Sequence, residues 1–478
     1  MYQVSPQDNL FLHMESSSTP MHVGLLCIYD QKTSKSGQVR FKEIIRTFKT
    51  RLHKLTPLRL RTVKVPFNLD YPYWIEDPDF DIEYHLRHIS LPKPGDWRQL
   101  CIQVARLHAR PLDLNRPLWE ATIIEGLDNI EGLPKGCFAI LTKVHRAIMD
   151  REIGGQLLAA LHDLDSGTIT QMPDRPLTVE RVPTSVELLS RAAVNRVKIL
   201  GSYAHVAQRY AVPLTKGLLK NCLTRKSCIR YAPRTRFNER ISFHRSFDGI
   251  TFPLMAIKAI RDARPQTRFN DVIIAIIAGG LRSYLRAKGE LPDESLRAVF
   301  PVPDRPAKTN EKRVHHFSYV FPRLFTEITN PLERLERIAA HMDRARNQST
   351  WLDWQIADDA AKLFPNTLAD MSLKAAVTYQ TTRHAHPLFN TFISSVAGPH
   401  IPLYHVGARM VASYGLDMVY DTVGLAHTAF SYNGNIAISV TACRNMMPDP
   451  AFYMECLQQS FEKLQNAVIA VEPIEEGA

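Results

Sequence analysis

Apolar residues along the chain change repeatedly between a two-residue period and a spacing of three to four residues, which is typical of alternating strands and helices. The stretch from Cys137 to Leu161 contains both patterns back to back. Cys137 to Val144 is an apolar run of strand length, whereas Leu157, Leu158 and Leu161 recur at helical spacing. We therefore predict a strand, a polar turn and a helix in direct succession.

Four polar residues fall at the junction between this strand and this helix. They are His145, Arg146, Asp150 and Arg151. In layered α/β proteins, functional side chains are often placed where a strand ends and a helix begins. A single histidine at a strand end is nevertheless more often a hydrogen-bonded structural residue than a catalyst. The junction is the first candidate site.

The same patterns predict further elements on both sides of the turn. On the N-terminal side we predict strands at His22 to Tyr29, Pro57 to Trp74 and Trp119 to Ile124, and helices at Phe41 to Leu52 and Leu100 to Ala109. Beyond residue 240 we predict helices at 252–263, 269–289, 331–348 and 451–471, and strands within 243–247, 296–305, 315–325, 390–399, 408–416 and 433–442. Asn270 or Asp271 is expected to cap the second of these helices.

The predicted order of elements favours a mixed α/β (α+β) fold over an all-β or bundle fold. A chain of 478 residues exceeds what one hydrophobic core usually serves, so two domains are expected. We predict an N-terminal domain over 1–170, a basic and partly helical linker over 171–240, and a C-terminal domain over 241–478. The adjacent histidines His315 and His316 begin the largely apolar run HHFSYVF and are interpreted as part of a strand.

Composition limits the classes of protein to which the chain can belong. The seven cysteines are scattered, which favours a reducing, cytoplasmic compartment over a disulfide framework. CxxC and HExxH motifs are absent, so no metal site is predicted. The first residues show no signal peptide, and the longest apolar run, Val272 to Leu281, is half of the ~20 residues that a spanning helix needs. We expect a soluble or peripheral protein.

The net charge of +11 is concentrated in one part of the chain. Residues 181–240 contain thirteen Lys and Arg against two acidic residues, a net +11, so the rest of the chain is neutral. Val186, Leu189, Ala193 and Val197 begin an apolar helical face within this segment, which predicts an amphipathic helix. It can be a solvated linker helix or a helix that binds an anionic membrane or lipid droplet. No nucleic-acid motif accompanies the charge, so nucleic acid is not an expected partner.

Five sequence blocks, in this order, resemble those of the bacterial wax ester synthase/diacylglycerol acyltransferase family, which has the HHxxxDG motif of CoA-dependent acyltransferases. They contain a PLW triplet (Pro117, Leu118 and Trp119) and an ND pair (Asn270 and Asp271). The blocks are SPQDNLFLHMESSSTPMHVG, DFDIEYHLRHISLPKPG, PLDLNRPLWEATIIEGL, FNDVIIAIIAGGLRSYL and SSVAGPHIPLYHVGARM. The resemblance implies two chloramphenicol-acetyltransferase-like domains with a tunnel between them, and implies that the PLW and ND residues support this tunnel. Trp119 by itself is expected to be a core residue.

The motif itself departs from the family pattern. His145 matches the first histidine, Arg146 replaces the second, Asp150 is retained and Arg151 replaces the glycine. In the family the second histidine is the general base, and the aspartate forms a buried ion pair with an arginine. A guanidinium has no acceptor lone pair and cannot serve as a base at neutral pH. His145 is then the only local candidate base, and using it would require the strand end to slip by one residue.

The resemblance implies transfer of a fatty acyl group from acyl-CoA to diacylglycerol or a long-chain alcohol, as in triacylglycerol biosynthesis, with no cofactor beyond the acyl-CoA substrate. The degenerate motif supports an alternative, a catalytically impaired homologue that binds lipid, acyl-CoA or a protein partner. Arg146 and Arg151 could bind an anion such as a phosphate, a carboxylate or the CoA pyrophosphate. They could equally point outward and form surface ion pairs.

Overall fold

The computed structural model describes residues 1–51, 55–149, 151–167, 181–197, 231–303, 317–347 and 386–469. Strands and helices alternate through both halves of the chain. The strands are β1 (Tyr2–Gln3), β2 (His22–Asp30), β3 (Leu60–Val63), β4 (Tyr73–Glu76), β5 (Leu86–Ser90), β6 (Trp119–Leu127), β7 (Cys137–His145), β8 (Arg245–Pro253), β9 (Ala298–Pro303), β10 (Phe317–Val320), β11 (Thr391–Ala397), β12 (Tyr404–His405), β13 (Ala408–Leu416), β14 (Leu425–Tyr432) and β15 (Asn435–Cys443).

The helices are α1 (Pro6–Met14), α2 (Phe41–Arg51), α3 (Ile82–His85), α4 (Trp97–His108), α5 (Arg151–Leu161), α6 (residues 185–197), α7 (Leu254–Asp262), α8 (Phe269–Ala287), α9 (Pro331–Asn347) and α10 (Pro450–Ile469). No helix in the described ranges is long and apolar enough to cross a membrane. The predicted mixed α/β fold is confirmed.

The N-terminal six-stranded sheet has the order β12-β13-β2-β7-β6-β5. Its central strand β7 is antiparallel to both neighbours, with His145 opposite His22 of β2. Both faces of β7 are buried, which explains its near-continuous apolar sequence. One face packs in a core with α2 and α5, and the other packs against α4. The turn after β7 therefore leaves the centre of a covered sheet.

The C-terminal six-stranded sheet has the order β10-β9-β11-β14-β15-β8. The apolar run at Val272 to Leu281 forms the middle of α8 and packs in the core of this half. A Cβ atom at Gly279 would lie 2.1 Å from the Ser460 hydroxyl oxygen of α10, and one at Gly280 would lie 2.6 Å from Leu457. The glycines thus allow α8 and α10 to pack in close contact.

The two sheets do not divide the chain at one point. β12 and β13 follow β11 of the C-terminal sheet, yet β13 pairs with β2 and completes the N-terminal sheet. The predicted C-terminal domain over 241–478 therefore contributes two strands to the other sheet. Pairing across such a sequence distance is not encoded in local periodicity. The domain boundary at 170 lies outside the described residues, and both this boundary and the one at 240 stay predictions.

Several predicted elements differ in extent from the observed ones. The stretch from Pro57 to Trp74 contains β3 and the start of β4 rather than one strand, because its prolines interrupt the pairing. Helix α4 begins at Trp97, three residues earlier than predicted, because Asp96 accepts the Gln99 N–H at 2.8 Å as its N-cap. His315 and His316 lie outside the described residues.

The predicted apolar face of the basic helix does not pack on the protein. In α6 the buried residues are Leu188 and Ala192, which lie against β3 and β4 with Val65 and Tyr73. Val186 and Val197, which belong to the predicted apolar face, are 75% and 70% exposed. Residues 198–230, which contain the remainder of the predicted helix, lie outside the described residues.

Candidate active site

The turn that carries the motif is fixed by its neighbours on both sides. The backbone N–H of His145 donates to the Leu118 carbonyl at 2.9 Å, and that of Arg146 donates to the Met21 carbonyl at 2.8 Å. These carbonyls directly precede β6 and β2, the two strands beside β7. A slip of β7 by one residue would break its pairing with both strands. Asp150 and the side chain of Arg151 lie outside the described residues, so their roles stay predictions.

The imidazole of His145 is fully buried. Its Nδ1 accepts the N–H of Ala147 at 3.1 Å, so the proton of the neutral ring is on Nε2. Nε2 lies 3.3 Å from Oε2 of Glu15, without the alignment of a hydrogen bond. The same Glu15 oxygen accepts the N–H of Met21. His145 thus has no lone pair facing a substrate in this arrangement, which favours a structural role over that of a base.

Arg146 occupies the position of the missing base and is half-buried. Its guanidinium donates to the Met149 carbonyl and lies 5.3 Å from the centre of the Phe11 ring. The side chain is therefore held against α1 and its own turn. It remains a fixed positive charge, because arginine does not lose its proton in proteins.

A buried carboxylate, Asp417, lies within electrostatic range of Arg146. It follows β13 directly, and its Oδ1 accepts the Met418 N–H at 2.9 Å. Burial raises the pKa of Asp417, while hydrogen bonds from the Met418 amide and the Ser394 hydroxyl and the charge of Arg146 act in the opposite direction. Sequence reasoning missed Asp417, because only the crossing of β13 into the N-terminal sheet brings it near the motif.

Two further histidines are buried beside the turn. His22 faces His145 across the β2–β7 pair, and its Nε2 donates to the His108 carbonyl at 2.7 Å. The His108 ring meets that of His22 edge to face at 4.7 Å, and its Nε2 donates to the Asp417 carbonyl at 3.2 Å. Burial lowers the pKa of both, that of His108 to about 3. Both rings are neutral at pH 7 and act as hydrogen-bond donors inside the core.

A buried lysine completes the cluster around the turn. Lys143 is 1% exposed, and its Nζ donates to the carbonyls of Leu107 and Arg110 at 2.9 and 3.1 Å. A cation at this place stabilises the C-terminal end of α4, where carbonyls lack helical partners. Burial lowers the pKa of Lys143 to about 8. The spacing of two residues between Lys143 and His145 was a sequence signal that both share one face of β7.

The PLW and ND residues have structural contacts. Leu118 and Trp119 are buried, and Trp119 Nε1 donates to the Leu58 carbonyl at 2.7 Å, as expected for a core residue. The N-cap of helix α8 is Arg268, two residues before Asn270 and three before Asp271, the predicted caps. Asp271 instead accepts the Arg268 N–H at 2.9 Å from the first turn. The role of Pro117 and these residues in supporting a tunnel stays a prediction, as does the tunnel.

The described residues contain no group of three His, Cys, Asp or Glu side chains that could hold a metal ion. The buried histidines instead bind backbone carbonyls or, in His145, accept a backbone amide. What the site offers chemically is a fixed cation at position 146, a buried carboxylate at 417 and a rigid turn between them and β7.

Comparison with known proteins decides the family. Residues 4–273 match the model of the wax ester synthase/diacylglycerol acyltransferase catalytic domain, and residues 315–465 match the C-terminal domain of the same family. The chain belongs to this family. A Mycobacterium tuberculosis H37Rv protein named as a probable diacylglycerol O-acyltransferase is 31% identical, over 97% of this chain and 98% of its own length. Another protein of that strain, named provisionally for the same activity, is 32% identical over 93% of both chains.

Solved structures agree with this assignment. The wax ester synthase/diacylglycerol acyltransferase from Marinobacter aquaeolei VT8 is 26% identical and superposes with a TM-score of 0.67, covering 98% of this chain and all of that one. The starter condensation domain of rhizomide synthetase, solved with C8-CoA, has a TM-score of 0.52 at 13% identity and covers 98% and 94% of the two chains. The latter likeness concerns the fold alone.

Proposed function

We propose that this family member transfers a fatty acyl group from acyl-CoA to the hydroxyl of a diacylglycerol or a long-chain alcohol. The observation that carries the proposal is the motif turn, which is rigidly held at the end of β7 within a chain that matches the acyltransferase family over both of its domains. In the reaction, the acceptor oxygen loses its proton and attacks the thioester carbonyl carbon. The C–S bond then breaks, and CoA leaves as a thiol after it takes up a proton.

The group that removes the acceptor proton differs from the imidazole of the family motif. Arg146 has no acceptor, and His145 uses Nδ1 to bind the Ala147 amide. Asp417 is a buried carboxylate that interacts electrostatically with Arg146, and burial raises its pKa, which makes it a stronger base. We assign it as the candidate base. Loss of an optimally placed base typically lowers the rate by about 10²- to 10⁴-fold, so turnover is expected to be slow.

The second candidate is a catalytically impaired family member that binds acyl-CoA or lipid. Two observations favour it: the guanidinium at position 146, and the hydrogen bond that occupies the Nδ1 lone pair of His145. Both observations concern the removal of the acceptor proton and not the binding of the substrates. Binding without turnover is therefore compatible with the same structure.

Contact with a membrane or lipid droplet through the basic segment is part of the proposal. The exposed side of α6 carries Val186, Ala193 and Val197, and Arg191 is exposed on the same helix. Apolar and cationic groups together favour adsorption to anionic lipid. Double substitution Val186→Glu and Val197→Glu is expected to reduce sedimentation with phosphatidylglycerol vesicles. The matched change Ala340→Glu and Gln459→Glu adds the same two negative charges at exposed positions of α9 and α10 and should leave sedimentation unaltered.

Acyltransfer assays separate the two candidates. Purified protein is incubated with radiolabelled palmitoyl-CoA and either dioleoylglycerol or hexadecanol, and the products are separated by thin-layer chromatography. We expect a slow, acceptor-dependent product in the wild type and its loss in Asp417→Asn, which keeps the size of the side chain. Product in Asp417→Asn at the wild-type rate would exclude Asp417 as the base. Absence of product in the wild type, with retained acyl-CoA binding, would select the impaired candidate.

A further inference from the structure

A groove of about 790 Å³ lies between α4, the start of β8 and the segment after β15. We call it the arginine groove, because five arginines line it: Arg98, Arg106, Arg110, Arg245 and Arg444. Its remaining surface is largely apolar and includes Trp97, Ile102, Phe247 and Pro448. Cavities of this volume commonly hold a cofactor-sized ligand.

Four of the five arginines have no acidic partner. Arg98, Arg106, Arg110 and Arg444 are exposed at the rim, and within the described part of the chain none of their guanidinium groups forms an ion pair or a hydrogen bond. Elsewhere in the same part of the chain, arginines on the surface are commonly paired, as Arg236 is with Glu290 at 2.6 Å. Four like charges around one concavity repel one another, and an anionic ligand would remove that repulsion.

Arg245 extends this positive charge to the bottom of the groove. It is 7% exposed, and its guanidinium donates to backbone carbonyls only, those of Ser242, His244 and Ser18. Carbonyls fix the guanidinium without cancelling its charge. A buried arginine that no carboxylate neutralises is typical of sites that bind phosphate or carboxylate groups.

The two carboxylates of the groove are engaged by other donors. Asp248 accepts from Trp97 Nε1 at 2.7 Å and from the Gly249 N–H at 2.8 Å. Asp449 accepts from the Tyr284 hydroxyl at 2.6 Å and is paired with Lys288. Neither bonds to an arginine of the groove. Five arginines against two occupied aspartates leave the groove strongly cationic.

The groove is connected to the motif turn through Arg245. Ser18, whose carbonyl it binds, lies three residues before Met21, the residue that fixes the backbone of Arg146. The charge of Arg245 also acts on His108, which packs on His22 beside the turn. The bottom of the groove is thus linked to the motif turn through the short segment from Ser18 to Met21.

We infer that the arginine groove binds the phosphate groups at the nucleotide end of acyl-CoA, so that the pantetheine arm reaches toward the turn. The inference rests on the proposed function, because it assigns the acyl donor of that reaction. CoA fits the chemistry, since it combines several phosphate charges with a flat adenine that can lie on an apolar surface. A lipid headgroup has the same phosphate chemistry, but a concave groove with a buried arginine suits a soluble ligand better than a flat bilayer.

The test measures binding by the full-length protein without turnover. Isothermal titration calorimetry with CoA compares the wild type with the double variant Arg106→Glu and Arg444→Glu. A matched control, Arg46→Glu and Arg286→Glu, changes the net charge equally on exposed helices outside the groove. Because the groove variant replaces two charge-assisted contacts with like-charge repulsion, we expect it to weaken CoA binding by at least about tenfold. The control should bind CoA as the wild type does.

Two additional ligands identify which phosphates are bound. 3′-Dephospho-CoA should bind the wild type more weakly than CoA, with a smaller difference in the groove variant. Vesicles of phosphatidylglycerol should bind the wild type and the groove variant equally. Three results would each overturn the inference. The groove variant could bind CoA as tightly as the wild type, the control could lose as much CoA affinity as the groove variant, or the groove variant could lose vesicle binding while it keeps CoA binding. A groove variant that loses CoA binding while the wild type shows no acyl transfer would uphold the inference and contradict the proposed function.

Discussion

The charged and polar side chains on the two sides of α4 differ in whether they have hydrogen-bond partners. Its buried face and C-terminal end meet Lys143 and His22, and each has backbone carbonyls as partners. Its exposed face presents Arg98 and Arg106 to a groove, and within the described residues these side chains have no partner. The same helix therefore borders both a buried cluster whose lysine and histidine donors bind backbone carbonyls and an exposed cationic surface.

This difference separates stability from function. A buried donor without a partner would destabilise the fold, so the backbone carbonyls that accept from Lys143, His22 and His108 are explained by folding alone. Exposed arginines that converge without acidic partners do not contribute to folding and are better explained by a ligand. Burial and unusual pKa values by themselves would have pointed to the histidines, whereas the bonding pattern points to the groove.

The largest expected effect on stability is at Lys143. Replacing it with alanine removes the donor for two carbonyls and leaves a cavity at the end of α4, so we expect a loss of about 3 kcal/mol in the free energy of unfolding. Urea denaturation followed by circular dichroism measures it. Lys143→Met, which keeps the volume, should lose less. If Lys143→Ala were as stable as the wild type, the buried charge of Lys143 would not contribute to the stability of the fold.

Acid should destabilise the folded protein through the buried histidines beside α4, and not through the arginines of the groove. A histidine with a lowered pKa in the folded state is protonated first in the unfolded state, so its contribution is complete above pH 6.5 and is lost as the pH falls toward its folded value. In the folded protein the pKa of His108 is about 3, and burial lowers the pKa of His22 well below its usual value. Each such group contributes a loss of up to about 1.4 kcal/mol per pH unit below 6.5.

Thermal unfolding between pH 7 and 4.5 tests this dependence. His108→Gln keeps a donor for the Asp417 carbonyl but does not titrate, so its melting temperature should fall less steeply with acid than that of the wild type. If the melting temperatures of both proteins fell equally with pH, His108 would not take up a proton on unfolding, and the prediction would be wrong. Arg106→Ala should have the wild-type slope and serves as the control from the exposed face.

The smallest effect is expected at the rim of the groove. Single substitutions Arg98→Ala and Arg106→Ala remove exposed side chains that form no hydrogen bond or ion pair within the described residues, so the free energy of unfolding should stay within about 0.5 kcal/mol of the wild type. Their stability in urea is compared directly with that of Lys143→Ala. A loss above 1 kcal/mol at either position would mean that the rim arginines support the fold.

Local patterns in the sequence predicted the elements near the site well. The strand, turn and helix around His145, and the long apolar helix α8, follow from periodicity that the structure confirms. The family was also evident from ordered blocks, and the comparisons confirm it. These features are local along the chain, so a single sequence contains enough information for them.

Features that depend on long-range pairing could not be predicted. β13 joins the N-terminal sheet only through its partner β2, and this brings Asp417 near Arg146. The buried side of α6 is set by Val65 and Tyr73, which the helical period alone does not reveal. The arginine groove likewise collects residues from α4, β8 and the segment after β15, none of which forms a basic motif in sequence.

The central claim is that the family site is intact except for its base. A substitution at position 146 tests this claim most directly. Acyl transfer from palmitoyl-CoA to dioleoylglycerol is measured in the wild type and in Arg146→His, with His145→Ala added to each as a control. We predict a gain of about 10²-fold or more in Arg146→His, the typical contribution of a placed general base. An unchanged or lower rate in Arg146→His, with the fold retained, would contradict the account and make the arginine itself part of the working site.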